Sequence, residues 1–284
     1  MGKKVLVTGG AGFIGTNLIN RLVKENIEVF SLDDYSTGNK DNESKLAKYI
    51  KGDIETIGNI SESNFDICYH LAAQSRVQPS FEDPEASFRS NIQGTLKVME
   101  WAKKHNVKVI YAGSSSKHHN PSDSPYAMYK FLGEEVCKLY KKAYDINVEV
   151  ARFYNVYGPN ESLDEEHGNV IGIWRSKVKQ GKPLTIVGDG NQRRDFTHVF
   201  DIVNGLIKIA MSNKVHRDAW ELGTGINYSV NELFSMFNKK FNAESIFIPD
   251  QPGNYKLTLR ENDDMLKDLD WNPEDRLEDH IDNL

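Results

Sequence analysis

The sequence predicts an α/β protein, in which a doubly wound parallel sheet is followed by a smaller C-terminal α/β lobe. Short apolar runs alternate with helical patterns in the first half, a glycine-rich turn follows the first run, and the alternation loosens after residue 155. Alternation of strands and helices implies right-handed crossovers between parallel strands. We therefore expect a first domain over residues 1–155, onto which some later segments fold back, and a second lobe over 156–284.

Each element is predicted from apolar spacing and from the turn residues at its ends. The expected strands are short apolar runs at residues 5–7, 28–32, 49–54, 67–71, 107–112 and 148–152. The expected helices have apolar residues three or four positions apart, at residues 13–24, 84–105, 124–144 and 170–180. Between the last helix of this series and its predecessor we expect a loop at 158–169, and a short strand follows at 184–187.

Composition excludes several classes of protein. The 284 residues are 39% hydrophobic and 27% charged, as in ordinary globular domains, and the net charge of −6 includes no basic block. Nucleic acid is therefore not the expected partner. No apolar run reaches the ~18 residues of a membrane helix. Cys68 and Cys137 lie in apolar patterns without metal spacing, and residues 1–4 lead directly into a strand, so we expect a cytoplasmic protein without a signal peptide or metal.

The glycine-rich turn predicts a dinucleotide site. Gly9, Gly12 and Gly15 follow the first strand and open the first helix, whose start includes Phe13 and Ile14. Glycine lets the backbone approach a pyrophosphate, and the helix N-terminus supplies N–H groups and a positive dipole end. A glycine turn without a nucleotide is the alternative, but the strand before it and the helix after it favour a Rossmann-type cofactor site.

Asp33 predicts NAD in preference to NADP as the cofactor. It ends the second strand, where a carboxylate accepts the ribose hydroxyls and repels a 2′-phosphate. No basic residue follows before Lys40, and we interpret Asp34 as a solvated turn residue.

Two further segments are expected to line the cofactor. Asp53 and Ile54 lie past the third strand, where an aspartate can meet the adenine amino group. Small residues after the fourth strand leave room for the cofactor, at Leu71, Ala72 and Ala73. We interpret His70, just before them, as a buried, hydrogen-bonded histidine without a catalytic role.

Tyr126 and Lys130 form the candidate catalytic pair. They stand at i and i+4, hence on one helix face, and Ser114 precedes Tyr126 by twelve positions. A tyrosine with a pKa near ~10 is a poor base at neutral pH unless a lysine and the positive nicotinamide ring favour its phenolate. Tyr129 lacks a lysine four residues later. The alternative, an ordinary helix start after Ser124, is disfavoured by the glycine turn and the serines.

The ordered set of motifs resembles the extended short-chain dehydrogenase/reductases that act on nucleotide sugars, and within them the UDP-sugar 4-epimerases. The matching segments run over nearly the whole chain. They are Thr8-Gly-Gly-Ala-Gly-Phe-Ile-Gly15, Asp33, Gly52-Asp53, His70-Leu-Ala-Ala73, Asn91-Ile-Gln-Gly-Thr95, Ser114-Ser-Ser116, Tyr126-x-x-x-Lys130, Arg152-Phe-Tyr-Asn155-Val-Tyr-Gly-Pro159, Gly188-Asp-Gly-Asn-Gln-Arg-Arg194-Asp195-Phe and Leu222-Gly-Thr-Gly225.

The resemblance implies roles for individual residues. Tyr126 would be the base, Lys130 would also hold the nicotinamide ribose, and a serine would hydrogen-bond the reacting sugar oxygen. Strand register favours Ser114 for that serine and leaves Ser115 and Ser116 open. The implied contacts to a UDP-sugar substrate are Gln74, Ser116, Asn155 and Arg194. A homodimer through the helices at 84–105 and 124–144 is implied as well.

The chain departs from this family pattern at three places. The loop between serine and tyrosine is short; it contains His118 and His119, which we expect to be solvated loop residues, with substrate contacts as the alternative. The Asp-Glu pair of the 4,6-dehydratases is replaced by Ser115 and Ser116. A second phosphate-side arginine is missing from residues 250–254, where Arg260 is a possible replacement.

These observations predict an NAD-dependent nucleotide-sugar 4-epimerase acting through a transient 4-keto sugar. The alternatives are a nucleotide-sugar dehydratase that uses the same oxidation, and a catalytically silent NAD-binding regulator. The missing acid pair disfavours 4,6-dehydration, and the complete Tyr/Lys/Ser group disfavours the regulator.

Overall fold

The structure is a computed structural model that describes residues 3–284. Met1 and Gly2, on which the expectation of no signal peptide partly rests, lie outside the described residues. In chain order the strands are β1 (Lys4–Thr8), β2 (Glu28–Asp33), β3 (Lys48–Lys51), β4 (Ile67–His70), β5 (Lys108–Ser114), β6 (Val148–Phe153), β7 (Val156–Tyr157), β8 (Leu184–Val187), β9 (Arg193–Asp195), β10 (Thr197–His198), β11 (Trp220–Leu222), β12 (Asn227–Ser229) and β13 (Ser245–Ile248).

The helices alternate with the strands in the first half and connect shorter sheets in the second. In chain order they are α1 (Phe13–Lys24), α2 (Val77–Glu82), α3 (Pro84–Phe88), α4 (Gly94–His105), α5 (Pro125–Tyr144), α6 (Val170–Lys179), α7 (Val199–Met211), α8 (Val230–Phe241), α9 (Asp264–Leu269) and α10 (Leu277–Asp282). Within residues 3–284, none of these helices has the length and apolar character needed to cross a bilayer.

Seven strands form one parallel sheet in the order β3-β2-β1-β4-β5-β6-β11. The predicted α/β fold with a doubly wound parallel sheet is therefore confirmed. The chain adds β2 and β3 on one side of β1 and then crosses to place β4 on the other. Such a switch point leaves a crevice at the carboxyl ends of the central strands, where α/β proteins bind their ligands.

The third strand is shorter than the sequence analysis predicts. It ends at Lys51 instead of continuing to residue 54. Asp53 caps a 3₁₀ turn over Ile54–Asn59 by accepting a hydrogen bond from Glu55 N at 2.8 Å. An aspartate that bonds its own downstream backbone competes with strand pairing, which ends the strand.

The predicted single helix at 84–105 is also divided. The chain passes from α3 through a π-helical turn at Arg89–Gln93 into α4. Within that turn, Asn91 accepts from Gln74 N at 2.9 Å and donates to Gln74 O at 3.0 Å. The widened turn thus brings an amide side chain onto the loop after β4, a placement that π-turns often provide near functional sites. The sequence analysis did not predict α2.

Two apolar layers cover the faces of the large sheet, and a third core holds the C-terminal elements together. On one face, α1 and α7 pack on the strands through Leu18, Leu22 and Leu206, all completely buried. The third core joins α6, α8, β8 and α10 through Trp174, Leu184, Leu233, Phe237 and Ile281. Cys68 and Cys137 are free and buried, as predicted.

Candidate active site

A cleft of about 320 Å³ lies at the carboxyl ends of the parallel strands. Most of the residues that the sequence analysis selected line it, although they come from segments far apart in the chain. Among these lining residues are Gly9, Gly12, Phe13, Ile14, Gly15, Asp33, Ile54, Leu71, Ala72, Ala73, Gln74, Ser114, Ser115, Tyr126, Lys130 and Asn155.

The glycine turn is packed so tightly that side chains have no room. Gly9 has a φ of +73°, and a Cβ on it would lie 2.8 Å from Ala72 N. A Cβ on Gly15 would lie 2.1 Å from Gly9 O. Gly12 begins α1 without any side-chain cap. The first N–H groups of the helix are therefore available to an anion, as a pyrophosphate site requires.

Asp33 holds this turn in place. Its Oδ2 accepts a hydrogen bond from Ala11 N at 2.8 Å, and its Oδ1 accepts from Tyr35 N at 2.8 Å. Burial raises the pKa of this carboxyl, although the two backbone hydrogen bonds oppose the shift. Each oxygen keeps a second lone pair for a ribose hydroxyl. Asp34 is exposed and accepts from Ser36 N, which agrees with its interpretation as a turn residue.

Asp53 and Ile54 have different positions relative to the cleft. Ile54 is one of the lining residues, whereas Asp53 caps its turn and lies 3.7 Å from Arg89. His70 is buried as predicted: its Nδ1 lies 2.8 Å from Thr8 Oγ1 and its Nε2 lies 3.1 Å from Thr95 Oγ1.

The structure brings Tyr126 and Ser114 together at the floor of the cleft. Tyr126 Oη donates a hydrogen bond to Ser114 Oγ at 3.3 Å. Ser124 is the N-cap of α5, and its Oγ accepts a hydrogen bond from Ala127 N at 3.1 Å. This cap fixes where the helix begins and therefore holds Tyr126 in the first turn. Burial raises the pKa of Tyr126, while the hydrogen bond from its hydroxyl to Ser114 and the positive charge of Arg76 act in the opposite direction.

Only some members of the serine run lie along the cleft. Ser114 and Ser115 are lining residues. Ser116 is buried beneath them and donates from its Oγ to Ser114 Oγ at 2.9 Å. Ser114 is therefore the serine that touches Tyr126, and Ser116 supports it from below.

Lys130 does not hydrogen-bond Tyr126. Its Nζ donates to Ala112 O at 2.5 Å and lies 4.7 Å from the centre of the Tyr111 ring. Burial lowers the pKa of Lys130 to about 8, although the charge of Glu134 opposes the shift. The ammonium form of Lys130 has three N–H donors, of which Ala112 O accepts one, so two remain for a bound ribose.

A buried ion pair that the sequence analysis missed supports the end of β5, where Ser114 lies. Glu134 accepts from Arg152 Nη2 at 2.8 Å, and both side chains are almost fully buried. Glu134 Oε1 also lies 3.4 Å from Ser114 N. The sequence contained a sign of this ion pair. Arg152 is a charged residue in an otherwise apolar strand, and Glu134 lies one helical turn after Lys130.

The histidines of the short loop are not solvated, which corrects the default expectation. His118 Nε2 lies 2.6 Å from Glu221 Oε1, and its side chain is only 17% exposed. The ring of His119 stacks on Tyr255 with the centroids 3.8 Å apart. Neither histidine lines the cleft. The short loop packs on the C-terminal half of the chain, through contacts that local sequence does not reveal.

Of the predicted substrate contacts, some line the cleft and others lie outside it. Asn155 lines the cleft and donates to Thr258 Oγ1 at 2.9 Å. Arg194 lies outside the lining, donates to Asn254 Oδ1 at 2.7 Å, and has its pKa lowered to about 10 by burial. Arg260 donates to Gly223 O at 2.7 Å and to Asp263, so its guanidinium is already engaged.

The cleft wall also contains residues that the sequence analysis did not select. Arg76, Ser162 and His167 line it, and Arg76 Nε donates to His167 O at 2.8 Å. His167, Asp164 and Glu166 have potential metal-ligand atoms within 4.8 Å of one another. Asp164 already accepts from His167 N at 2.9 Å, which is typical of a turn, and we assign no metal to this group.

Comparisons with known proteins agree with this geometry. A sequence model of the NAD dependent epimerase/dehydratase family matches residues 5–223. A putative UDP-glucose 4-epimerase of Methanocaldococcus jannaschii is 34% identical, with 98% of this chain and 95% of the relative covered.

Solved structures give the same result. A UDP-glucose 4-epimerase of Thermotoga maritima with UDP-glucose has a TM-score of 0.91 at 27% identity, covering 98% of this chain and 96% of that one. A UDP-glucuronic acid 4-epimerase of Bacillus cereus, in complex with UDP-glucuronic acid and NAD, has a TM-score of 0.89 at 27% identity with the same two coverages.

Proposed function

The chain belongs to the NAD dependent epimerase/dehydratase family, and on this premise we propose that it inverts C4 of a UDP-linked hexose. The observation that carries the proposal is the hydrogen bond of 3.3 Å between Tyr126 and Ser114 in a cleft that also contains the glycine turn. A proton acceptor and a dinucleotide site in one cleft allow reversible oxidation of a secondary alcohol.

The residues present fit NAD as the cofactor. A Cβ on Gly15 would come within 2.1 Å of Gly9 O, so the turn excludes side chains where a pyrophosphate must approach. Asp33 offers carboxylate oxygens at the end of β2, where an adenosine ribose is expected. We assign adenine contacts to Ile54 and, at the edge of the cleft, Asp53, and nicotinamide-side contacts to Leu71, Ala72 and Ala73.

When bound, NAD would supply the nicotinamide ring that reversibly accepts a hydride from C4 of the sugar. As the phenolate, which the charges of Lys130, Arg76 and the oxidised nicotinamide favour, Tyr126 Oη would take the proton of the C4 hydroxyl while the hydride leaves C4. Ser114 Oγ hydrogen-bonds the same sugar oxygen and keeps it within reach of the phenol. After the 4-keto sugar has turned its other face inward, the hydride returns to C4 and Tyr126 gives the proton back. The starting and final sugars therefore differ only in configuration at C4.

Lys130 and the substrate lobe complete the proposed assignment. The amine of Lys130 remains able to donate to the nicotinamide ribose. Asn155 and Gln74, which line the cleft, are assigned to the substrate, and Arg194, outside the lining, to the sugar diphosphate. The predicted contact of Ser116 with the sugar is corrected to an indirect one, because Ser116 lies beneath the cleft and donates to Ser114 Oγ. In this proposal residues 1–155 bind NAD and residues 156–284 bind the substrate, although β11 and α7 from the second segment complete the large sheet and its cover.

A homodimer through α4 and α5 is part of the proposal. These helices expose Leu96, Leu132 and Leu139 by 42%, 37% and 57%. Apolar side chains on adjacent helices supply area that a second copy can cover. We also propose a reducing, cytoplasmic compartment, which the free state of both cysteines supports.

Dehydration is the second candidate, and the cleft disfavours it. Ser115 and Ser116 stand where the dehydratases that this chain resembles have an acid pair. A serine hydroxyl does not act as the general acid or base that water elimination needs. A stable keto product in place of an epimer would identify a dehydratase.

The proposal is tested by incubating the NAD-loaded protein with UDP-, dTDP- and GDP-linked sugars and identifying products by NMR. We expect a C4 epimer from a UDP-sugar. Tyr126→Phe should retain the fold and NAD binding and lose at least about 10³-fold in turnover, because general base catalysis is removed. Tyr129→Phe is the matched control, since this phenol packs edge-on against Phe88 outside the cleft lining. Full activity of Tyr126→Phe would overturn the assignment.

A further inference from the structure

Arg76 occupies a position in the cleft that the proposed reaction does not yet use. It follows β4 and stands at the N-cap of α2 with extended backbone angles, where it provides no side-chain cap. Its side chain lines the cleft together with Gln74, Pro79 and Tyr126. The loop that carries it is fixed by the paired hydrogen bonds between Asn91 and Gln74. The guanidinium is therefore part of a rigid wall.

The positive charge of Arg76 has no counter-ion within residues 3–284. Its Nε donates to His167 O at 2.8 Å, and no carboxylate oxygen of the described chain lies within 4.0 Å of it. The charge of Glu161 acts on Arg76 from farther away, but that carboxylate is paired with Arg175 at 2.8 Å. Burial lowers the pKa of Arg76. A desolvated cation without a partner is costly, so the cleft favours an anion beside it.

Two other partly or fully buried guanidinium groups of the described residues have carboxylate partners, whereas Arg194 has none and is hydrogen-bonded through both terminal nitrogens to Arg193 O and Asn254 Oδ1. Arg152 contacts Glu134 at 2.8 Å, and Arg276 contacts Asp201 at 2.7 Å. Arg76 differs because only its Nε is bonded. The backbone carbonyl of His167 fixes the plane of the guanidinium while the terminal nitrogens remain available. Two adjacent N–H groups in one plane match the two oxygens of a carboxylate.

The position of Arg76 relative to Tyr126 identifies which part of a sugar it meets. Ser80 lies four residues after Arg76 in α2, and its Oγ accepts from Tyr126 N at 3.0 Å. Four helical residues span about 6 Å, which is therefore the distance along α2 from Arg76 to Ser80, the residue that holds the backbone of Tyr126. The charge of Arg76 also lowers the pKa of Tyr126 against the larger effect of burial. Arg76 thus lies at the reacting end of the sugar.

The chemistry of a pyranose then limits the anion. The diphosphate is attached at C1, across the ring from C4. The substituent of C5 is adjacent to C4, and its exocyclic carbon is the one that is a carboxylate in a uronic acid. We propose that Arg76 binds this carboxylate, and that the substrate is a nucleotide-linked hexuronic acid. This inference rests on the proposed C4 epimerisation, because that reaction defines the position of C4 beside Tyr126.

The test compares UDP-glucuronate with UDP-glucose on the NAD-loaded protein. The two substrates share base, diphosphate and ring, so their ratio isolates the carboxylate. We expect the wild type to have a kcat/KM at least 100-fold higher for UDP-glucuronate. Arg76→Gln should lower kcat/KM for UDP-glucuronate about 100-fold, mainly through KM, and change that for UDP-glucose less than threefold. Arg76→Lys should recover part of the loss, because the charge returns without the planar fork.

Arg217→Gln is the matched control, since Arg217 is exposed and is not one of the residues that line the cleft. Equal turnover of both sugars by the wild type, or equal losses on both in Arg76→Gln, would overturn the uronate proposal and leave the epimerase proposal intact. Absence of turnover on every nucleotide sugar would instead reject the epimerase. In that case calorimetry with UDP-glucuronate and UDP-glucose decides the role of Arg76: equal dissociation constants of wild type and Arg76→Gln for UDP-glucuronate would reject it.

Discussion

His118 Nε2 lies 2.6 Å from Glu221 Oε1, so the short loop before the catalytic helix is fastened to the last strand of the large sheet. The other ring nitrogen, Nδ1, lies 3.0 Å from Glu261 Oε2. Glu221 is completely buried and also accepts from Tyr154 Oη at 2.7 Å. This contact connects Ser114 and its loop to residues more than one hundred positions later in the chain.

The contact predicts that stability depends on the protonation of His118. Burial alone would lower its pKa, but the hydrogen bond to Glu221 and the charges of Glu221 and Glu261 outweigh burial and raise it above 6.5. Since folding raises this pKa, the stabilisation is complete below pH 6.5 and is lost as the pH rises through the folded-state value. The free energy of unfolding of His118→Gln should therefore be lower than that of the wild type by about 2 kcal/mol near pH 5.5, and the deficit should shrink as the pH rises through the folded-state pKa of His118.

Urea denaturation at several pH values measures this deficit. His105→Gln is the control, because His105 is exposed at the end of α4, and we expect a much smaller change in its free energy of unfolding. A deficit of His118→Gln that grows with rising pH would contradict the interpretation. Strong acid should weaken the contact as well. Hydrogen bonds from His118, Tyr154 and the backbone of Glu261 overcome burial and lower the pKa of Glu221 to about 2, so the stabilisation by this carboxylate is lost as the pH falls from 4.5 towards that value.

The buried pair of Glu134 and Arg152 should be essential to folding. Glu134→Ala leaves Arg152 buried with weakened compensation, which typically costs about 3–5 kcal/mol. Glu278→Ala is the control, because its carboxylate is 55% exposed and pairs at 2.8 Å with Lys239, whose side chain is 64% exposed. Exposed pairs contribute less than about 1 kcal/mol. Chemical denaturation of both variants distinguishes them, and equal losses would show that the buried pair is not special.

Lys130→Met should separate stability from activity. Burial lowers the pKa of Lys130 to about 8 from 10.5, so the folded protein bears the cost of a buried cation below pH 8 and loses that cost above it. The variant should be more stable than the wild type by about 1 kcal/mol near pH 7, with the gap narrowing towards about pH 10. Turnover should fall at least about 100-fold. Thermal unfolding of cofactor-free protein tests the first claim; a less stable variant at neutral pH would refute it.

Asp33→Asn should weaken NAD binding without creating an NADP enzyme. An asparagine retains one carbonyl oxygen for Ala11 N but turns an NH₂ group towards Tyr35 N, which donated at 2.8 Å to the carboxylate. We expect about a 10- to 100-fold rise in the NAD dissociation constant, because the turn and the ribose both lose an acceptor. Asp34→Asn should have a much smaller effect. Calorimetry with NAD and NADP gives both values; unchanged NAD affinity in Asp33→Asn would exclude the assigned role.

The sequence was sufficient for the parts of the molecule whose signals are local. The helix at Phe13–Lys24 begins and ends where apolar spacing and the glycine turn predict. The pairing of Tyr126 with a serine could be expected because the helical start at Ser124 and the preceding strand fix both positions. The division of the 84–105 helix could not, because the π turn depends on a contact between Asn91 and Gln74.

The sequence by itself determined six strands of the sheet, the glycine turn and the spacing of Tyr126, Lys130 and the serines, since each of these arises from short-range preferences of backbone and side chains. Only the tertiary structure decided where the charges lie. It placed Lys130 on the carbonyl of Ala112, joined His118 to Glu221, and, among residues 3–284, gave Arg76 no counter-ion in the cleft. The reason is physical: the partner of a buried charge is chosen by proximity in space, and strands and loops far apart in the chain supply that proximity.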